Sequence, residues 1–301
     1  MTKALTRDVL TSILRTLRLR VRLMSRGDYC GQWALDSGER NKATFHLVGR
    51  GELWMHCASR DEALLLREDD LLVFHRPQWH QFSCSAEKQD RVSLGRQPRR
   101  KDEPVTTVIC CVVEFEAGAH NLVLGSLPEM SVVQCRQHQA SAELVALARH
   151  MMSEHDAETP GYEAVMERLA EALFIEVMRH HMRGGNEHGL LRALADPQLG
   201  QALSALHAEP GRDWDVATLA RIAAMSRSHF ARRFAECLET TPMHYLAEWR
   251  MQLANELLRD PRQSVARVAE TLGFQTEATF RRAFKRLRQI GPGSVRREAR
   301  Q

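Results

Sequence analysis

At 301 residues the chain has room for two domains, each with its own core, and 42 Lys+Arg against 38 Asp+Glu leave a formal net charge of only +4. No stretch approaches the roughly 20 consecutive apolar residues of a membrane helix, and the first residues lack the apolar centre of a signal peptide. The seven cysteines have neither disulfide-framework nor paired C-x-x-C spacing, so the expectation is a cytoplasmic protein with reduced thiols and no membrane partner.

In chain order, Leu17, Leu19, Val21 and Leu23 alternate with arginines, which predicts a half-buried strand rather than an organellar presequence. From about Gly27 to Phe115 the apolar runs KATFHLV, ELWMHC, DLLVFH and TTVICCVVEF are short, strand-like and bounded by turn residues, the texture of a β domain. Residues 86 to 104, AEKQDRVSLGRQPRRKDEP, are polar without periodicity and read as a surface loop. From Ser141 the period turns helical. Leu144, Leu147, Ala148 and Met151 share one face, and Val165, Leu169, Leu173, Val177 and Met178 another. RGGNEHG, residues 183 to 189, ends that region with glycines and reads as an interdomain hinge near Gly184 and Gly185.

Charge is unevenly spread. From Leu191 onward 18 Lys+Arg face 12 Asp+Glu, a net of +6, while residues 1 to 190 carry 24 against 26, a net of −2. An anionic partner therefore belongs to the last third. There, VATLARIAAMSRSHFARRF sets Val216, Leu219, Ala220 and Ala223 on one apolar face. Ser226 or Ser228 can cap a second helix, whose Phe230 and Phe234 face the first. The result is a helix-turn-helix with Ser228, Ala231, Arg232 and Ala235 turned outward.

The pattern is written twice. Val216, Leu219 and Ala220 match Val265, Val268 and Ala269 at an offset of 49, and Phe230, Phe234 and Pro242 match Phe280, Phe284 and Pro292 at an offset of 50. Two ordinary helical hairpins would not need arginines just after each aromatic anchor. A helix that enters the major groove does, because Arg can hold guanine O6 and N7 with two hydrogen bonds. By position Arg232 and Arg282 are the base readers, whereas Arg227, Arg233, Arg281, Lys285 and Arg286 fall near phosphates. Thr276, Ser228 and Thr279 are further candidate contacts, and Glu277 suits either a cytosine amino group or its own helix start. Tyr245, Leu246, Trp249, Leu253 and Leu257 form the stripe of a helix linking the two heads, which could then read successive major-groove turns roughly 34 Å apart.

In LARIAAMSRSHFARRF, TTPMHYLAEWRMQLANELL and LGFQTEATFRRAFKR, with the lead-in helix DPQLGQALSALH and Trp214, the chain resembles the AraC/XylS family of transcriptional regulators over residues 191 to 297. The resemblance implies a promoter-DNA-binding activator that contacts RNA polymerase. Glu239 and Gln289 stand where the family usually has glycine, and Val295 where it usually has an aromatic. The segments LRLRVRL, FHLVGRGELW, DDLLVFHRPQWHQF and NLVLGSLPEM resemble the cupin-type sensor domain of one branch of that family. His46 and His80 match candidate metal positions, but a metal-binding cupin would show a fuller set of histidines and carboxylate. No resident cofactor is expected: His46 then reads as a polar lining residue and His80 as a satisfied strand-end histidine, and a small-molecule effector pocket inside the barrel is the readier reading. Cys30 and Cys110 match positions where cysteines recur in that branch, which makes them candidates for an oxidant-responsive switch.

The expected fold is α+β and multidomain: a cupin-like β-barrel sensor over 1–135, a helical dimerisation and linker region over 136–189, and an all-α DNA-binding domain over 190–301. In that domain a linker helix joins two helix-turn-helix units. The expected function is sequence-specific transcription regulation, with double-stranded promoter DNA, RNA polymerase, a small molecule or oxidant, and a second copy of the chain as candidate partners. The competing reading is a metal-dependent cupin enzyme with an appended DNA-binding domain.

Overall fold

The computed structural model describes residues 9–17, 19–36, 42–88, 104–115, 127–134, 142–157, 159–183 and 189–298. They divide into two compact units, one spanning Leu19–Phe115 and Leu127–His181, the other holding the chain from Met182 onward and an N-terminal helix. The helices expected to form a separate linker region thus belong with the strands. Gly184 and Gly185, and residues 89–103 of the expected surface loop, lie outside the described residues.

The expected strand starts at Leu19 and not at Leu17, which ends a helix, α1 (Val9–Leu17), that the alternation does not cover. Val9, Leu10 and Ile13 recur at helical spacing and are buried, and α1 packs within its own unit against two helices given below as α5 and α8. The alternating pattern then holds from Leu19, where β1 (Leu19–Tyr29) begins.

The first unit contains β2 (Ala34–Asp36), β3 (Ala43–Arg50), β4 (Glu52–Cys57), β5 (Leu64–Arg67), β6 (Leu71–Phe74), β7 (His80–Ser83), β8 (Thr106–Phe115) and β9 (Met130–Val133), then α2 (Ala142–Ala157) and α3 (Tyr162–Arg183). The strands form two open sheets, β1-β8-β3-β6-β9 and β2-β7-β4-β5, and not the closed barrel expected from the sequence. The reason lies in the pairing. After Tyr29 the chain turns through Gly31, in left-handed backbone at φ 68°, and β2 joins β7 in the other sheet, so no ladder bridges the two sheets there. Val48, Leu72, Phe74, Val108 and Cys110 from one sheet meet Leu53, Met55, Cys57, Leu66 and Phe82 from the other in a shared core. Central strand β3 is buried from Ala43 to Gly49, and α2 packs against it.

The second unit continues with α4 (Leu190–Ala195), α5 (Pro197–Ala208), α6 (Val216–Ile222), α7 (Arg227–Leu238), α8 (Pro242–Arg259), α9 (Val265–Thr271), α10 (Glu277–Arg288) and α11 (Pro292–Glu298). The six starts from α5 to α10 are specified locally: Asp196, Asp215, Ser226, Thr241, Ser264 and Thr276 all accept an N–H of the first turn through a side-chain oxygen. Ser226, not Ser228, is the cap of α7. Glu239 and Gln289, at φ 55° and 60°, take the left-handed conformation that glycine would supply, and their N–H groups still bond Ala235 O and Lys285 O. Among the described residues no helix is long and apolar enough to cross a membrane.

The repeat is reproduced in three dimensions. Phe230 and Phe234 pack at 5.6 Å between ring centroids, as do Phe280 and Phe284, and all four are at most 1% exposed. The tight turn of each unit uses a left-handed residue, Gly273 at φ 78° in the second but Ala224 at φ 52° in the first. Because Ala loses about 1 kcal/mol in that conformation relative to Gly, Ala224→Gly should stabilise the helical unit by up to about 1 kcal/mol in a denaturant titration.

Candidate nucleic-acid interface

Helices α7 and α10 are amphipathic in the sense a groove reader needs. The phenylalanines of α10 anchor it, together with Met251, Ala254 and Leu258 of α8, and Val295 of α11 takes the place of the usual aromatic in the same core. Phe234 meets Tyr245 of α8 at 5.8 Å. Two positions after each first phenylalanine, Arg232 and Arg282 project roughly 200° away from the anchor. Both are exposed, as are Ser228, Thr279, Lys285 and Arg286.

Local bonds sort these residues further. Arg232 leans on Glu236 at 3.8 Å and on His229 at 3.4 Å, contacts loose enough to be exchanged for a base edge. Arg282 is exposed, and among the described residues no acidic side chain pairs with it. Arg281 Nε donates to Glu277 Oε1 at 2.6 Å, so Glu277 is engaged with its own helix, and this pair must open before Arg281 meets a phosphate. Thr276 caps α10, accepting from Thr279 N at 3.1 Å, while Thr279 Oγ1 donates to Thr276 O at 2.7 Å. Thr276 therefore belongs first to the helix start that presents Thr279. Arg227 stands exposed in the first turn of α7.

Arg233 requires a correction. It sits on the flank of α7, not its outer face, and pairs with Asp196 while donating to Gln198 Oε1 at 3.0 Å. Burial alone would raise the Asp196 carboxyl, but N–H bonds from Leu199 and Gln198 and the Arg233 charge hold it below the usual value. Arg233 thus ties α7 to the start of α5 and is not placed for phosphate contact.

A cupin family profile matches residues 8–183, and a helix-turn-helix domain profile matches residues 219–298. An uncharacterized HTH-type transcriptional regulator of Haemophilus influenzae is 27% identical over 301 residues, 96% of this chain and 98% of that protein. The HTH-type transcriptional regulator AlkR of Acinetobacter baylyi is 31% identical over 214 residues, 70% of this chain and 69% of its own length. This chain belongs to the AraC family of transcriptional regulators. Among solved structures, the DNA-binding domain of AdpA in complex with a target DNA is 33% identical, covering 35% of this chain and 94% of that one at a TM-score of 0.33. By its two profiles and these two relatives, the AraC-family chain is a DNA-binding transcription regulator with a cupin N-terminal domain, and the enzyme reading is set aside.

For an AraC-family regulator the outward arginines have separable roles. Arg282→Ala should cost about 1 to 3 kcal/mol on a specific site and relax preference at one base pair. Arg281→Ala should weaken binding evenly across sequences and flatten the salt dependence. Fluorescence anisotropy on specific and random duplexes at two salt concentrations checks both, and equal losses on the two duplexes for Arg282→Ala would show that another face reads the bases.

In the cupin domain of this AraC-family chain, His46 on β3 and His80 on β7 do come together, with ring centroids 4.7 Å apart between Phe74 and Phe82. Burial, and secondarily His80, hold His46 well below its ordinary pKa. Burial lowers His80 to about 4 against the opposing pull of the Gln78 carbonyl. Among the described residues no group of three His, Cys, Asp or Glu side chains is placed to hold a metal, and two imidazoles fall short of the three or four ligands a firm site needs. The donor set does not fit a metal centre.

The cysteine pair is not brought together either. Cys110 pairs with Ser25 across β8 and β1, whereas Cys30 lies five residues further on, beyond the Tyr29–Thr106 pair. Five strand residues span about 16 Å, far beyond the roughly 7 Å between Cα atoms that a disulfide tolerates. Burial also pushes the Cys110 thiol up to about 12, against a hydrogen bond from Ser25, which suppresses the reactive thiolate. A direct Cys30–Cys110 switch is therefore ruled out in this fold.

Sequence reading missed a surface cavity of about 620 Å³ in the same unit. It is lined by Arg50 from the end of β3, Glu68 and Asp69 from the β5–β6 turn, and Val145, Arg149 and Met152 from α2. Asp69 holds a left-handed φ of 70°, fixed by its N–H bond to Val48 O at 2.8 Å.

Proposed function

We propose that this regulator activates transcription in the cytoplasm in response to a small molecule bearing both charges, received in the cavity beside α2. The observation that carries the reading is the composition of that cavity, whose lining combines Arg50 and Arg149 with Glu68 and Asp69 and with apolar Val145 and Met152. Such a lining suits a compact zwitterion with an apolar portion. Arg50 is held by Asp156, while Arg149 is exposed on α2. Asp69 keeps a side chain where backbone geometry favours glycine, which argues that its carboxylate is used. Activation is supported by a relative from Escherichia coli described as an RCS-specific HTH-type transcriptional activator, 29% identical over 202 residues. RNA polymerase is the partner an activator requires, and a second copy of the chain through α3, where Val165 is exposed, completes the reading. His46 and His80 serve as core lining and not as ligands of a resident cofactor.

The test is a comparison of parent and the D69N/R149Q variant in the host, reading promoter occupancy and the transcripts of occupied promoters together. Asp69→Asn keeps side-chain size, and Asn tolerates left-handed backbone as Asp does, while Arg149→Gln shortens an exposed side chain and removes its charge. Occupancy should persist while the transcripts fall to uninduced levels. Transcripts equal to those of the parent would overturn the cavity as the place where the signal enters.

A further inference from the structure

The two helix-turn-helix units are joined by more than the linker helix. Gly211 lies in the connection between α5 and α6, at the entrance to the first head, and Gly273 lies in the turn of the second. A Cβ on Gly211 would fall 2.2 Å from Thr271 O, and one on Gly273 would fall 2.2 Å from Gly211 O. Real side-chain carbons do not approach carbonyl oxygens so closely, so the two heads touch main chain to main chain at a point only glycine permits. Arg250 of α8 braces the same junction. Its Nε donates to Pro210 O at 2.7 Å and its Nη2 to Arg212 O at 2.9 Å, both in the first head's connection. The guanidinium also stands 5.8 Å from the ring centroid of Phe274, in the second head's turn. Partial burial lowers the guanidinium pKa, against the opposing charge of Asp213.

A single helix spacer leaves each head free to rock about its own packing on α8. A second contact, off the helix axis, removes that freedom. We propose that Gly211, Arg250 and Gly273 are positioning residues that lock the two heads into one rigid reader and so fix the base-pair spacing between the two DNA boxes it recognises. None of the three lies on a reading face. Their effect falls on the distance and phase between Arg232 and Arg282, not on either base contact. Inserting one base pair between the boxes moves the second by about 3.4 Å and rotates it by roughly 35°, a change a rigid reader cannot follow.

The experiment uses the full-length protein and an operator selected from random duplex DNA, together with versions carrying one inserted base pair and versions keeping only the first box. For the parent the insertion should cost at least about tenfold in Kd, the size of one lost base contact. Arg250→Ala and Gly211→Ala should bind the first box alone as the parent does, bind the full operator several-fold more weakly, and show a clearly smaller insertion penalty. An unchanged penalty in Arg250→Ala, with first-box affinity retained, would overturn the proposal. If Gly211→Ala loses the first box as well, its fold has failed and Arg250→Ala decides the matter alone. A lock that only stabilised the domain would lower every affinity together and leave the spacing penalty in place, which is also an overturning result.

Discussion

Phe284→Ala should destabilise the second helix-turn-helix unit by about 3 to 5 kcal/mol and abolish binding to the second DNA box, while the first box is still bound. Phe284 is fully buried, tilted at 51° to Phe280, and shares one core with Met251, Ala254, Leu258, Val268 and Leu272. Truncation to a methyl leaves a cavity that those neighbours, fixed on α8 and α9, cannot fill. A loss of that size is a large share of the roughly 5 to 15 kcal/mol that holds a domain folded. Denaturant titration followed by circular dichroism should show an early transition absent from the parent, and footprinting should show one protected box where the parent protects two. A midpoint equal to that of the parent would mean that α10 is held by something other than its aromatic anchor.

Acidification should unfold the sheet-rich unit first. His75 lies about 1% exposed with Nε2 bonded to Ser131 Oγ at 2.8 Å, and burial, with His181 nearby, lowers it to about 3. Burial lowers His80 to about 4, and His46 shifts the same way. In the helical unit His207, bonded to Tyr245 Oη at 2.7 Å, is pushed down to about 3 by burial. Each imidazole stays neutral when folded but takes a proton when unfolded once the pH falls below the ordinary value of about 6.5. The unfolded chain therefore binds more protons between pH 6.5 and the folded pKa, so acid favours unfolding there, and the contribution is complete only above about pH 6.5. His75, His80 and His207, lowered to about 3 to 4, should each remove about 2 kcal/mol by pH 5. His75 and His80 together would cost the sheet-rich unit about 4 kcal/mol, with His46 adding to the loss, against about 2 for His207 in the helical unit. Denaturant midpoints at pH 7 and pH 5, read through tryptophan fluorescence, should fall most for the unit containing Trp33, Trp54 and Trp79. Equal midpoints at the two pH values would mean that these imidazoles reach solvent.

The DNA-reading half was legible because its information is local and duplicated. Phe230 and Phe280 announce their anchors by spacing, and the Ser226/Ser228 pair announces a helix start by residue type, of which Ser226 is the cap. A repeat at offsets of 49 and 50 needs no tertiary knowledge. Arg233 was misplaced because a flank position one residue from a reading position looks the same in sequence. Only the approach of Asp196, 37 residues upstream, decides its partner. The brace at Arg250 and the meeting of Gly211 with Gly273 depend in the same way on two segments closing on each other. In the sensor half, alternation identified strands, yet whether strands close into a barrel depends on pairing between distant segments. The short helix α1 went unread because the arginine alternation, taken from Leu17 onward, carries no information on Val9 to Thr16.

The most direct measurement is selection of DNA from a random-sequence duplex library by the full-length protein, followed by sequencing of the bound fraction. The structure leads to two unlike sequence boxes, centred about 10 to 11 base pairs apart on one face of the duplex, one lost with Arg232→Ala and the other with Arg282→Ala. Recovery of a single box, or of no enriched sequence at all, would contradict a regulator that reads its promoters with two heads.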